Sequence, residues 1–333
     1  MSTGPDSLGV AFADAALERS IRAGLADVED ALRVAVRSED EFVAGAARYL
    51  VDAGGKRFRP LVTMLAAHFG DAAAPEIVPS AVVVELTHLA TLYHDDVMDE
   101  ATVRRGAVSA NSRWDNTVAI LTGDFLFSRA SDILADLGVY AVRLQARTFE
   151  RLVTGQIRET VGPKDGVDPI DHYLAVLADK TGSLIATAAE FGAHYAGASP
   201  DVVARLREYG EQIGVAFQLS DDILDIASES VESGKTPGTD LREGVPTLPV
   251  LYALRSSEPA TERLRALVSH PLVDDAEHAE ALGLLRSSSA LDEARRTLAG
   301  YADTARATLS DLPDLPSRAA LEALTDIVIA RTG

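Results

Sequence analysis

Residues 81–99 read AVVVELTHLATLYHDDVMD. Val82, Val83, Leu86, Leu89, Ala90 and Tyr93 recur at steps of three and four, the period of an α-helix, and strand-like alternation is hard to find. Glu85, His88, Thr91, Asp95 and Asp99 fall on one polar stripe along this otherwise apolar helix. A polar stripe in a buried helix is expected where the helix lines a cavity. The same periodicity runs almost throughout the chain, which therefore reads as all-α. Breaks rich in Gly, Pro, Asp or Ser at 70–79, 100–114, 162–169, 197–200, 228–249, 256–260 and 270–275 separate about a dozen helices. None of these breaks is a long linker with a change of composition across it, and no solenoid period recurs. One large helical domain over residues 1–333 is expected, with residues 1–12 as a loose arm. Two amphipathic helices without chemical motifs are expected from about Ser287 onward.

Composition narrows the function. The 333 residues are 47% hydrophobic and 25% charged, the balance of a globular protein. With 51 acidic against 31 basic residues the formal charge is -20, which argues against a nucleic-acid binder and leaves any anionic ligand in need of a local basic site. Without cysteine, disulfides, thiolate metal sites and cysteine nucleophiles are excluded. The acidic N-terminal stretch does not read as a signal peptide, and no apolar run reaches the roughly 18 residues of a membrane span, so a cytoplasmic location is expected.

The pattern DDxxD occurs twice, as Asp95, Asp96 and Asp99 in LYHDDVMDE and as Asp221, Asp222 and Asp225 in QLSDDILD. Helix positions four apart differ by about 40° in direction, so Asp95 shares a face with Asp99 and Asp221 with Asp225. Like charges at that spacing repel, and hard oxygen pairs of this kind suit magnesium held together with substrate phosphates. Gln218, Asp222 and Asp225 form a second polar stripe. A single such motif reads equally well as a solvated helix end; two copies with basic motifs between them favour a ligand. The basic motifs begin with Gly54-Gly55-Lys56-Arg57-Phe58-Arg59-Pro60, three cations in four residues after two glycines, which reads as an anion clamp. Thr102-Val103-Arg104-Arg105-Gly106 follows the first acidic motif, where its arginines could reach phosphates beside Asp95 and Asp99. Lys180, in Asp179-Lys180-Thr181-Gly182, reads as a ligand or as a snorkelling lysine at a helix irregularity. Lys235, in Ser233-Gly234-Lys235-Thr236, reads as part of a lid over phosphate.

In this order, GGKRFRP, HDDVMDEATVRRG, GDFLFSRA, GQIRE, DKTGSL, FQLSDDILD and GKTPGTDLREGVPTLP closely resemble the all-trans isoprenyl (polyprenyl) diphosphate synthases over Gly54 to Pro249. The resemblance implies helices around a deep central cavity, usually in a homodimer, and a reaction joining isopentenyl diphosphate to an allylic diphosphate. It implies that Asp95, Asp99 and Asp221 bind the magnesium ions of the allylic diphosphate, with Asp96, Asp222 and Asp225 supporting. Arg104, Lys180, Thr181, Gln218 and Lys235 would contact the allylic substrate, and Lys56, Arg59, His88 and Arg105 the isopentenyl diphosphate. On the same resemblance, Asp95, Asp99, Asp221, Arg104 and Lys180 would form the catalytic set. The family often has a second lysine where this chain reads Gly244-Val245-Pro246, and Val245 cannot bind phosphate.

The residues suit ionisation of a diphosphate, attack of the isopentenyl double bond on the allylic cation, and loss of a proton, with no protein nucleophile or general base assigned. A terpene cyclase would not need GGKRFRP; a non-catalytic subunit would usually have lost its Asp motifs. Ala90 and Thr91 lie about 6 to 7.5 Å along the helix before Asp95. In the family's short-chain members these positions often carry aromatic residues that act as a floor for the growing chain. Both are small here, so a heptaprenyl to decaprenyl product for a quinone side chain is expected. Geranylgeranyl or farnesyl diphosphate is the alternative if another helix closes the cavity earlier.

Overall fold

The computed structural model describes residues 10, 12–228 and 237–332, and nearly all of them are helical. The chain divides into two compact units, one of residues 1–150, 184–210 and 308–323, the other of residues 151–183, 211–307 and 324–333.

The first unit is organised on α4 (Ile77–Met98), which packs on α1 (Ala15–Ala35), α3 (Phe58–Ala67), α5 (Ala110–Arg113) and most extensively α6 (Asn116–Leu137). A helix apolar over most of its surface has to be enclosed on those faces. Val82, Val83, Val84, Leu86, Leu89, Ala90 and Tyr93 are accordingly buried. The Tyr93 hydroxyl donates to Ala46 O at 2.6 Å and accepts the Leu50 N–H at 3.2 Å, tying α4 to α2 (Glu41–Asp52). Part of the acidic excess is spent on helix starts: Asp14, Asp40 and Asp115 accept first-turn amides of α1, α2 and α6. Gly106 completes a two-residue hairpin between β1 (Val103–Arg104) and β2 (Ala107–Val108). Arg105 and Gly106 at φ 53° and 75° make the left-handed turn that matches strand twist.

The second unit holds α8 (Pro169–Leu177), started by Asp168, the later part of α10 (Pro200–Ala227), and α11 (Thr239–Glu243), α12 (Leu248–Arg255), α13 (Glu262–Leu267) and α14 (Asp275–Arg286). The helix irregularity expected at Lys180 is a wide turn over Ala178–Gly182, where Ser183 N–H donates to Ala178 O five residues back. Such turns often mark functional sites. Gly155, on α7 (Val139–Val161), permits it: a Cβ there would lie 2.9 Å from Lys180 N. The two amphipathic helices expected from Ser287 are α15 (Ser289–Ser310) and α16 (Pro316–Ala330).

In the first unit, Gly192 of α9 (Ser183–Tyr195) brings that helix onto α3, with no room for a Cβ against the Thr63 carbonyl and Ala66. Gly192→Ala should therefore destabilise the protein by about 1 to 3 kcal/mol despite alanine's better helix propensity. Urea unfolding of the two proteins checks this; an unchanged or raised midpoint contradicts it.

Candidate active site

The first acidic motif lies where α4 ends, with Asp99 as its C-cap. Negative charge is unfavourable there, because the helix dipole and the last carbonyls are themselves negative. Asp96 is fully buried and its Oδ1 accepts Arg104 Nε at 2.6 Å. Asp95 is partly buried and Asp99 half-exposed, 3.9 Å from Arg104 Nη2. The hairpin thus folds Arg104 back over the motif.

Behind it, three arginines gather about one carboxylate. Glu85 is 2% exposed and binds Arg57 Nη1 at 2.8 Å, with Arg105 Nη2 4.0 Å away. Arg57 adopts a left-handed conformation, φ 47°, at the start of α3, and is held by Glu29 and by Val51 O. Arg105 donates to Leu50 O and Gly54 O, and Gly55, at φ 153°, wraps its guanidinium. Arg59 sits on the first turn of α3, its Nε buried without a hydrogen-bond partner. Burial and the nearby Arg105 push its pKa down to about 10, against the pull of Glu85. His88 falls well below its ordinary value through burial and repulsion from Arg59, Arg105, Arg57 and Arg104, so its imidazole is neutral. A buried, under-satisfied guanidinium among cations calls for an anion. Lys56 is exposed. Thr91 is partly exposed, its hydroxyl turned to His88 O, whereas Ala90 is fully buried with its carbonyl close to Gly123 of α6.

The second acidic motif lies in the last turns of α10. Asp222 is buried, accepts Tyr173 Oη and Gln218 Nε2, the latter at 3.0 Å, and has its pKa pushed up to about 6 by desolvation. Thr181 Oγ1 contacts Gln218 Oε1 at 3.4 Å, so Thr181, Gln218, Asp222 and Tyr173 form one chain. Asp225 accepts the Thr239 and Asp240 amides at 3.3 and 3.2 Å, acting as the cap that α11 lacks of its own. Asp221 is less buried, and its Oδ1 accepts Arg331 Nη2 at 2.6 Å. Lys180 Nζ reaches Glu159 at 2.6 Å. Val245 is exposed and donates its amide to Asp240 O. Lys235 lies outside the described residues.

Residues 40–285 match the family model for polyprenyl synthetase. The chain belongs to the polyprenyl synthetase family. This polyprenyl synthetase is 53% identical over 328 residues to a nonaprenyl diphosphate synthase of Mycobacterium tuberculosis, covering 98% of this chain and 97% of that one. Its structure is similar to that of geranylgeranyl pyrophosphate synthase from Corynebacterium glutamicum complexed with calcium and isoprenyl diphosphate (TM-score 0.88, 47% identity, 97% and 100% covered). It is also similar to a decaprenyl diphosphate synthase from Rhodobacter capsulatus (TM-score 0.86, 34% identity, 95% and 98% covered). The protein is an all-α prenyltransferase with the isoprenyl diphosphate synthase fold.

Sequence reasoning about this polyprenyl synthetase passed over Glu29, Arg57, Tyr173 and Arg331 as site residues. Glu29 and Tyr173 carry no local signal, since what they touch is 28 and 49 residues away along the chain. Arg57 belongs to the GGKRFRP clamp, yet in the fold its guanidinium is taken up by Glu29, Glu85 and Val51 O.

His88 supplies a pH test. Its folded pKa lies below its unfolded value of 6.5, so as the pH falls through that value the unfolded chain takes a proton the folded one refuses, and stability drops. In His88→Gln the loss of stability between about pH 7 and pH 5 should be smaller than in the wild type. Denaturation at the two pH values measures it, and an equal or larger acid loss in the variant contradicts the assignment.

Proposed function

We propose that this polyprenyl synthetase is a cytoplasmic, magnesium-dependent enzyme that condenses isopentenyl diphosphate with an allylic diphosphate, giving an all-trans product of heptaprenyl to decaprenyl length. The observation that carries the proposal is the placing of both DDxxD motifs at helix C-terminal ends, where carboxylates are disfavoured unless a cation offsets them. The donor set fits magnesium. Among the described residues no group of three or more His, Asp and Glu side chains forms a cage for a metal. Magnesium is generally held by one or two carboxylates together with water and substrate phosphates, so pairs of carboxylates suffice. Asp95, Asp99 and Asp221 would hold it. Asp96, Asp222 and Asp225 support them through Arg104, through Tyr173 and Gln218, and through the start of α11. Bound there with diphosphate, magnesium neutralises the negative charge that grows as the leaving group departs.

The chain's own residues bind and orient. Arg104, Lys180, Thr181 and Gln218, with Lys235, are assigned to the allylic diphosphate, and Lys56, Arg59, His88 and Arg105 to the isopentenyl diphosphate. The unpartnered Arg59 Nε and the Glu85-held Arg105 support the second assignment. The allylic carbon–oxygen bond breaks, the isopentenyl double bond supplies the pair for the new carbon–carbon bond, and the adjacent carbon gives its proton to the departing diphosphate. Small Ala90 and Thr91, and relatives named for nonaprenyl and decaprenyl products, support a long product. A homodimer is part of the proposal. Its support is exposed apolar side chains on two helices of the first unit: Leu121 of α6 and Val142 of α7 are exposed, and the ring of Phe149 on α7 meets Phe127 of α6 at 4.6 Å.

Purified protein given magnesium, labelled isopentenyl diphosphate and farnesyl diphosphate as primer should yield products of seven to ten isoprene units by chromatography. Thr91→Phe should shorten them; a wild type that stops at geranylgeranyl diphosphate, or no shortening, removes the open-floor argument. Asp95→Ala and Asp221→Ala should each lower turnover by about a hundredfold or more, as several kcal/mol of charge stabilisation is lost. Near-normal turnover of either at saturating magnesium rejects its carboxylate as a ligand.

A further inference from the structure

The helices after Ser287 carry no motif, yet the residue that follows α16 reaches the second acidic motif of the same unit. Arg331 Nη2 donates to Asp221 Oδ1 at 2.6 Å, and its guanidinium lies 5.3 Å from the centre of the Phe217 ring, one turn before Asp221 on α10. Four further bonds set this segment. Arg331 N–H donates to Ile327 O, the Thr332 amide and hydroxyl both donate to Ile329 O, and Arg295 of α15 donates to Thr332 O at 3.2 Å. Thr332 is itself buried. A surface arginine making a casual ion pair has no such seating, because an exposed pair gains little against the side-chain entropy it costs. Here the backbone is anchored on both sides of the charge, and an aromatic face orients the fork.

Resting on the reading of Asp221 as a magnesium ligand, we propose that Arg331 is a positioning residue for Asp221 and a further contact for the diphosphate bound at that motif. The chemistry has two sides with opposite signs. Toward a bare metal ion, Arg331 is a competitor: it occupies Oδ1 and adds positive charge beside it, both of which weaken cation binding. Toward a metal diphosphate it is an ally. A guanidinium has five N–H donors in a planar fork, so the contact with Asp221 does not exhaust it, and phosphate oxygens accept such a fork well.

The test measures binding by the intact protein. Manganese affinity is read by electron paramagnetic resonance without phosphate, and inorganic pyrophosphate affinity by calorimetry at saturating magnesium. Arg331→Gln should bind manganese about threefold more tightly and pyrophosphate about tenfold more weakly. Arg331→Lys, which keeps the charge without the fork, should restore the manganese value and recover pyrophosphate binding only in part. Unchanged affinities in Arg331→Gln, or a shift of both in the same direction, overturn the proposal and leave Arg331 as packing. If the wild type itself binds no pyrophosphate with magnesium, what fails is the magnesium diphosphate reading of the motif, and Arg331 with it.

Discussion

Glu85 is the charge around which the basic half of the first unit is arranged. It lies almost wholly buried on α4 and faces Arg57 and Arg105, while its field also reaches Arg59. Packing several guanidinium groups together is costly through mutual repulsion and through lost hydration, and one unpaired buried charge would be worse. A carboxylate at the centre offsets the repulsion without removing the positive character of the group. Arg57 commits its donors to Glu29, Glu85 and Val51 O, which leaves the Arg59 Nε as the buried donor of the group without a protein partner. The same residues that make the loop rigid therefore make its remaining donors available to an anion.

The acidic motifs obey the complementary constraint. In each DDxxD the middle residue is buried and answered by protein: Asp96 by Arg104, Asp222 by Tyr173 and Gln218. That division follows from helix geometry. Neighbouring positions point about 100° apart, so when the middle carboxylate faces inward, the outer two, four residues apart, share the other direction. The inner carboxylate is held by neighbouring side chains, and of the outer positions Asp95, Asp99 and Asp221 are the ones proposed to meet a cation, while Asp225 caps α11. Division of labour within a motif is thus a consequence of the spacing rather than of any difference in residue type.

Much of this was legible along the chain because its causes are local. The three- and four-residue apolar rhythm of residues 81–93 specifies a buried helix whatever it packs on, and the repeat of an aspartate after four residues specifies a shared face. Asp168 before Pro169, and the Gly and Pro clusters, mark starts and stops by backbone chemistry alone. The wide turn at Lys180 was visible only as an irregularity, since what permits it is the missing side chain of Gly155 on another helix.

What only the tertiary structure decided is the partner of each charge. Arg57 and Arg59 differ by two positions and not at all in chemistry, yet one is committed to Glu29 and Glu85 and the other keeps an unpartnered Nε. Arg331 had no motif to announce it, being 110 residues from the aspartate it holds. Local rhythm determines which segments are helices and which residues line them, since that depends on bonds within a turn. Pairing across such separations depends on where packing carries each helix end, and no spacing along the chain encodes it.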